Sequence, residues 1–184
     1  MRIRTYPEAI LRKVSEEVPV NEISDYFDLM EAMEKVIIDF NALGLAAVQI
    51  GELTRIVGIM SEVTKKPYFM INPKIIQSGG TQIGPEACLS FPNVVVNITR
   101  KSYIKVEYYT KTGELKTEEL MGKEAIVVQH EIDHLNGVTL YQSAPQAMRG
   151  SITRKLKVGR RRLAKYDKFQ RRLKKFSEPN TVNK

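Results

Sequence analysis

The stretch Gln129-His130-Glu131-Ile132-Asp133-His134-Leu135-Asn136-Gly137 holds the residue types and spacing best suited to chemistry. On a helix, His130 and His134 stand about one turn apart on a shared face, so both imidazoles can meet one metal ion. Glu131 sits beside them as a proton carrier. The chain has only 2 histidines, and both fall in this single H-E-x-x-H pattern. The plain alternative is an amphipathic core helix with incidental histidines, and the concentration of both in one pattern argues against it.

Catalytic sites of the zinc type use three protein ligands and leave one position for water, so a third ligand must come from elsewhere. No Asp or Glu lies between Leu135 and Tyr166, which closes the downstream glutamate route of thermolysin-like metalloproteases. The longer pattern H-E-x-x-H-x-x-G-x-x-H finds Gly137 but has Leu140 in place of its last histidine. Upstream, the single cysteine is Cys88, in Pro85-Glu86-Ala87-Cys88-Leu89-Ser90-Phe91-Pro92. A lone cysteine is commonly just a small buried hydrophobe. With two histidines lacking a partner, it points instead to a His2Cys site. A thiolate suits the softer divalent ions, and Fe(II), Zn(II), Co(II) and Ni(II) are all compatible. A closed structural zinc site would need a fourth ligand, and no spare Cys or His exists.

A third segment, Leu43-Gly44-Leu45-Ala46-Ala47-Val48-Gln49, combines small residues with an amide. Gly44, Ala46 and Ala47 allow close backbone approach to a ligand, and Gln49 offers a donor for a developing oxyanion. Tight helix or strand packing would explain the same small residues.

Taken in order, Gly44 to Gln49, Glu86 to Ser90 and Gln129 to Leu135 resemble the three motifs of peptide deformylases. The opening Tyr6-Pro7-Glu8-Ala9-Ile10-Leu11-Arg12-Lys13-Val14 is similar to that family's N-terminal segment, so the resemblance covers roughly residues 1–145. It implies hydrolysis of the N-formyl group from the formyl-methionine of newly made polypeptides, with release of formate. Cys88, His130 and His134 would hold one divalent ion, Fe(II) being the first expectation. Glu131 would act as general base and then general acid. Gln49 and, by resemblance, the backbone N–H of Leu89 would face the oxyanion. The Gly44 backbone would pair with the extended substrate as an added strand does. Resemblance also suggests that Leu43, Ile126, Val127 and the stem of Glu86 form the methionine pocket, and that Asp133 pairs with Arg100. No small-molecule organic cofactor is expected. Two positions depart from the family's pattern: Ala42 and Ala87 stand where glycine is usual. If residue 87 required a positive φ, alanine there would cost on the order of 1 kcal/mol.

These residues need a scaffold. Tyr26, Leu29, Met30, Met33, Val36, Ile37 and Phe40 recur at helical spacing, predicting a helix from a cap at Ser24 or Asp25 to about Asn41. A short helical turn is expected around Glu8 to Leu11. Strands are predicted over 55–60, 68–71, 74–77, 94–98, 102–110 and 114–120, with turns at Gly79-Gly80 and Lys111-Thr112-Gly113. Strands in succession argue for antiparallel pairing. The metal helix is predicted over 123–136, with Gly137 closing it. The fold class is therefore α+β: antiparallel sheets around a central metal-binding helix, followed by a basic C-terminal helix.

At 184 residues and 42% hydrophobic composition, the chain suits one domain with an appendage. Residues 1–148 carry 15 Lys and Arg against 19 Asp and Glu, whereas residues 149–175 carry 13 against 1. The net +8 thus belongs to the tail. We read 1–148 as a catalytic metallohydrolase unit and 149–184 as a basic amphipathic helix with a disordered end. Such a helix suits RNA phosphate, an anionic membrane, or docking on the acidic body. The resemblance favours the ribosome, through its RNA, over the membrane. No signal-like or membrane-spanning run is visible, and one cysteine with thiolate chemistry fits a reducing compartment, so the cytoplasm is expected.

Overall fold

The computed structural model describes residues 2–159. Its elements in chain order are α1 (Phe27–Asp39), β1 (Gly44–Ala46), β2 (Ile56–Met60), β3 (Pro67–Gly79), β4 (Gln82–Ala87), β5 (Val95–Arg100), β6 (Tyr103–Tyr109), β7 (Leu115–Met121), α2 (Gly122–Leu135) and α3 (Leu140–Ser143). A last helix, α4, runs over residues 149–159. Short 3-10 turns at Ala9–Arg12, Val20–Tyr26, Ala47–Ile50 and Gln146–Met148 link them.

Five strands form one sheet in the order β1-β2-β3-β6-β7, and β4 pairs with β5 in a separate two-stranded sheet. Every pairing is antiparallel. Period-two alternation explains the large sheet: along β6, Ile104, Val106 and Tyr108 are buried while their neighbours are partly exposed. On one face Met30, Met33 and Ile37 of α1, all fully buried, pack with Ile56, Phe69 and Ile71. On the other, Val128, Ile132 and Leu135 of α2 pack with Val57, Ile59, Met70, Ile104 and Val106. Helix α2 is buried at Ala125, Val128 to Ile132, His134 and Leu135, and side chains tie it to the small sheet through His130 with Glu86 of β4 and Asp133 with Arg100 of β5. A third cluster joins Phe91, Val94, Val96 and Ile98 to Leu140 of α3 and to Ile152 and Leu156 of α4.

The α+β class and the central helix agree with expectation, and several details differ. Predicted strands 68–71 and 74–77 are one long strand, β3, bent by register shifts between Ile71 and Lys74 and between Ile75 and Gln77. Proline at 73 removes a ladder donor, and the strand bulges there instead of ending. Helix α1 starts at Phe27 after a 3-10 turn, and neither Ser24 nor Asp25 caps it. Strands β1 and β4 were not predicted. The C-terminal apolar stripe beyond Gly159 and the expected disordered end lie outside the described residues.

Candidate metal centre and catalytic cleft

Helix α2 presents its two histidines toward the end of β4. Cys88 follows the last residue of that strand and is partly buried. Its Sγ lies 3.2 Å from Nε2 of His134, and the donor atoms of Cys88, His130 and His134 all fall within 4.8 Å of one another. Ligand bonds of about 2.0–2.3 Å at a tetrahedral angle leave donors roughly 3.5 Å apart, so one ion fits among them. Nε2 of His130 and Nδ1 of His134 are buried and have no hydrogen-bond partner among the described residues. A ring nitrogen buried without a partner is costly unless something binds it. The donor set and the unpartnered Nε2 of His130 therefore suit a softer divalent cation.

A second layer of charge orients these ligands. Nδ1 of His130 is 2.7 Å from Oε2 of Glu86. Arg100 donates from Nε and Nη2 to the two oxygens of Glu86, at 2.7 and 3.0 Å, and from Nη1 to Asp133 Oδ2 at 2.6 Å. Ser143 donates to the same Asp133 oxygen. Burial alone would raise the Glu86 carboxyl, but hydrogen bonds from His130 and Arg100 outweigh it and hold that carboxyl below its ordinary value. For His130, burial disfavours the charged ring, yet the neighbouring Cys88 thiol, the Glu86 carboxylate and the charge of Glu131 raise it well above the usual value. Burial, with the charges of His130 and Arg100, pushes His134 well down and keeps it neutral, the ligating form.

Glu131 is 4% exposed, and burial pushes its carboxyl up to about 7. Its Oε2 has no hydrogen-bond partner among the described residues. Strand β1 passes close by: a Cβ on Gly44 would stand 2.6 Å from Oε1 of Glu131. Gln49, in the 3-10 turn after β1, accepts from the Ala46 N–H at 2.8 Å. That bond turns its amide nitrogen toward Cys88 Sγ, at 3.4 Å, and Ser90 Oγ, at 3.3 Å. Among the described residues the Leu89 N–H donates to no acceptor.

A cleft of about 870 Å³ opens over this centre. Leu43, Gly44, Gln49, Glu86, Cys88, Leu89, Ile126, Val127, His130 and Glu131 all line it, so the structure gathers nearly every residue singled out in the sequence. His134 lies behind the cleft wall, fully buried. The Asp133–Arg100 ion pair is present. Sequence reasoning missed the carboxylate of Glu86, of which only the stem was expected to matter. Its position two residues before Cys88 in an extended run, and so on the same side, was the available signal. Ala87 lies in β4 opposite Val95 without a positive φ, so the anticipated strain does not arise.

A helix bearing two histidines and a buried carboxylate, set against a strand-end cysteine under a deep cleft, defines a hydrolase of the single-metal kind. The sequence pattern of the polypeptide deformylase family matches residues 1–150. The peptide deformylase of Thermotoga sp. strain RQ2 is 38% identical over 157 residues, covering 84% of this chain and 93% of its own. Peptide deformylase 1 of Bacillus subtilis is 36% identical over 137 residues, covering 74% and 85%. The crystal structure of a peptide deformylase from Legionella pneumophila superposes with a TM-score of 0.81 at 30% identity, covering 89% of this chain and 96% of that one. The chain belongs to the polypeptide deformylase family, metal-dependent hydrolases that act on formylated nascent polypeptides.

Proposed function

We propose that this chain removes the formyl group from the amino terminus of nascent polypeptides with Cys88, His130 and His134 as metal ligands and Glu131 as the proton carrier. The observation that carries the assignment is the convergence of those three donors beside a buried carboxylate on one cleft wall. Two imidazoles and a thiolate suit Fe(II), our assignment, with Zn(II), Ni(II) and Co(II) compatible. The bound ion supplies a Lewis acid and a water acidified toward neutrality.

Every other step falls to the protein's own groups. Glu131, with its carboxyl near neutral pH, takes a proton from the attacking water. As the water oxygen bonds to the formyl carbon, the carbonyl oxygen gains charge, which the Gln49 amide and the Leu89 N–H stabilise. Glu131 then gives its proton to the departing amine as the C–N bond breaks, leaving formate and a free amino terminus. Gly44 in β1 offers backbone groups to the extended substrate, and Leu43, Ile126, Val127 and the stem of Glu86 hold the methionine side chain. Glu131→Gln tests the division of roles: metal content should stay at one ion per chain while turnover falls by about 10²–10⁴-fold. Loss of the metal in that variant would overturn the assignment.

We further assign residues 149–184 as a basic appendage to the catalytic unit 1–148, directed to ribosomal RNA by its charge of 13 Lys and Arg against 1 acid over 149–175. We place this activity in the cytoplasm, a reducing compartment that suits a thiolate ligand. Among the described residues no helix is long and apolar enough to cross a membrane.

A further inference from the structure

Helix α4 turns one face toward the body. Ile152 and Leu156 are 0% and 5% exposed and pack with Phe91, Val94, Val96 and Ile98. Gly159 continues the same stripe, three residues after Leu156, and is buried. There the helix backbone meets another backbone directly: a Cβ on Gly159 would lie 2.1 Å from the carbonyl oxygen of Pro92, 2.7 Å from its carbon and 3.1 Å from the Asn93 side-chain amide. No side chain fits in that contact.

The loop it touches has two sides. Pro92 and Asn93 meet Gly159, and the same residues, with Phe91 and Val94, line the substrate cleft. The loop hangs from the metal centre through short bonds: the Phe91 N–H donates to the Cys88 carbonyl at 2.9 Å and the Val94 N–H to the Phe91 carbonyl at 3.1 Å. Asn93 turns the loop at φ 63, a left-handed conformation that asparagine adopts readily. Gly159 meets that turn from outside the cleft.

We infer that Gly159 is a positioning residue for substrate, a strut at the end of α4 that sets the cleft wall formed by Phe91 to Val94. The wall touches peptide and supplies no group to bond breaking, so its displacement weakens binding more than the chemical step. The inference rests on the deformylase reading of the cleft. It also makes the segment that begins Arg160-Arg161-Arg162 continuous with a residue that shapes the active site.

The test compares two Gly→Ala changes in one helix, in metal-loaded full-length chain, by formate release from a formyl-Met-Ala-Ala peptide. Gly150→Ala is the control, because a Cβ there meets nothing within 4 Å, and it should leave KM and kcat as they were. Gly159→Ala must move the helix end or the loop by about 1 Å, and KM should rise on the order of tenfold while kcat and metal content stay within twofold. Should Gly159→Ala fold poorly, Leu156→Ala loosens the same strut without a clash and should shift KM in the same direction. Unchanged KM in a folded variant overturns the proposal, as does a fall of kcat and metal content together, which would mark the contact as general scaffold. Absence of formate release from the native chain would instead fault the deformylase reading.

Discussion

Gly44→Ala isolates the contribution of Glu131's position from that of its charge. A Cβ at residue 44 would stand 2.6 Å from Oε1, 2.8 Å from Cγ and 3.0 Å from Cδ of Glu131. Ordinary contact requires these atoms to separate by roughly 0.6–1 Å. Strand β1 is held on β2 through Gly44 opposite Ile59, and by the Met60 N–H donating to the Leu43 carbonyl at 2.9 Å. The side chain therefore yields more readily than the strand. Gly44 has no positive φ, so alanine brings no backbone strain and the effect is steric. A displacement near 1 Å of the group that moves the proton should lower kcat by about 10²-fold, which is ~2.7 kcal/mol in the barrier. The assay is steady-state formate release alongside metal content. Metal should be retained, because the three atoms nearest the new methyl all belong to Glu131, which is not a ligand. Turnover within threefold of native would refute the reasoning, and so would loss of metal.

Other outcomes follow from the same geometry. Glu86→Gln removes the anion that orients His130 at 2.7 Å, and competition with a chelator should show metal affinity reduced by about 10–100-fold. The Glu86 carboxyl is held below 4.5 in the fold, so its contribution to stability is present above that pH and lost as pH falls through the folded value. Thermal melting of the chelated protein should accordingly show a shallower acid-side decline in Glu86→Gln than in the native chain, and an equal decline would contradict the ion-pair account. Ile37→Ala empties a fully buried position between α1 and the large sheet; urea titration should register a loss of about 2–5 kcal/mol, with less than 1 kcal/mol weighing against that core.

The chemistry was more legible in the sequence than the framework that presents it. Both histidines sit in one helix at fixed spacing, so local geometry alone brings them together, and Cys88 followed by elimination. Strand β4 was hidden because Gly84 and Pro85 argue against a strand. It is an edge strand, paired on one side only by β5, where a proline is tolerated. Missing β4 meant missing the carboxylate of Glu86, whose role depends on the strand that aims it at His130 and Arg100. Strand β1 is only Gly44–Ala46, too short for an alternating pattern to register. The packing of Ile152 and Leu156 on Phe91 and Val96 is a long-range contact, and an apolar stripe does not name the surface that will cover it.

Formate release under anaerobic conditions, from a formyl-Met-Ala-Ala peptide by Fe(II)-loaded native chain and by Cys88→Ala, bears most directly on the central claim. Metal-dependent release is expected from the native chain and none from the variant, together with loss of the ion from the variant. An Fe(II)-loaded native chain that releases no formate would contradict that claim, as would a Cys88→Ala chain that keeps both its ion and its activity.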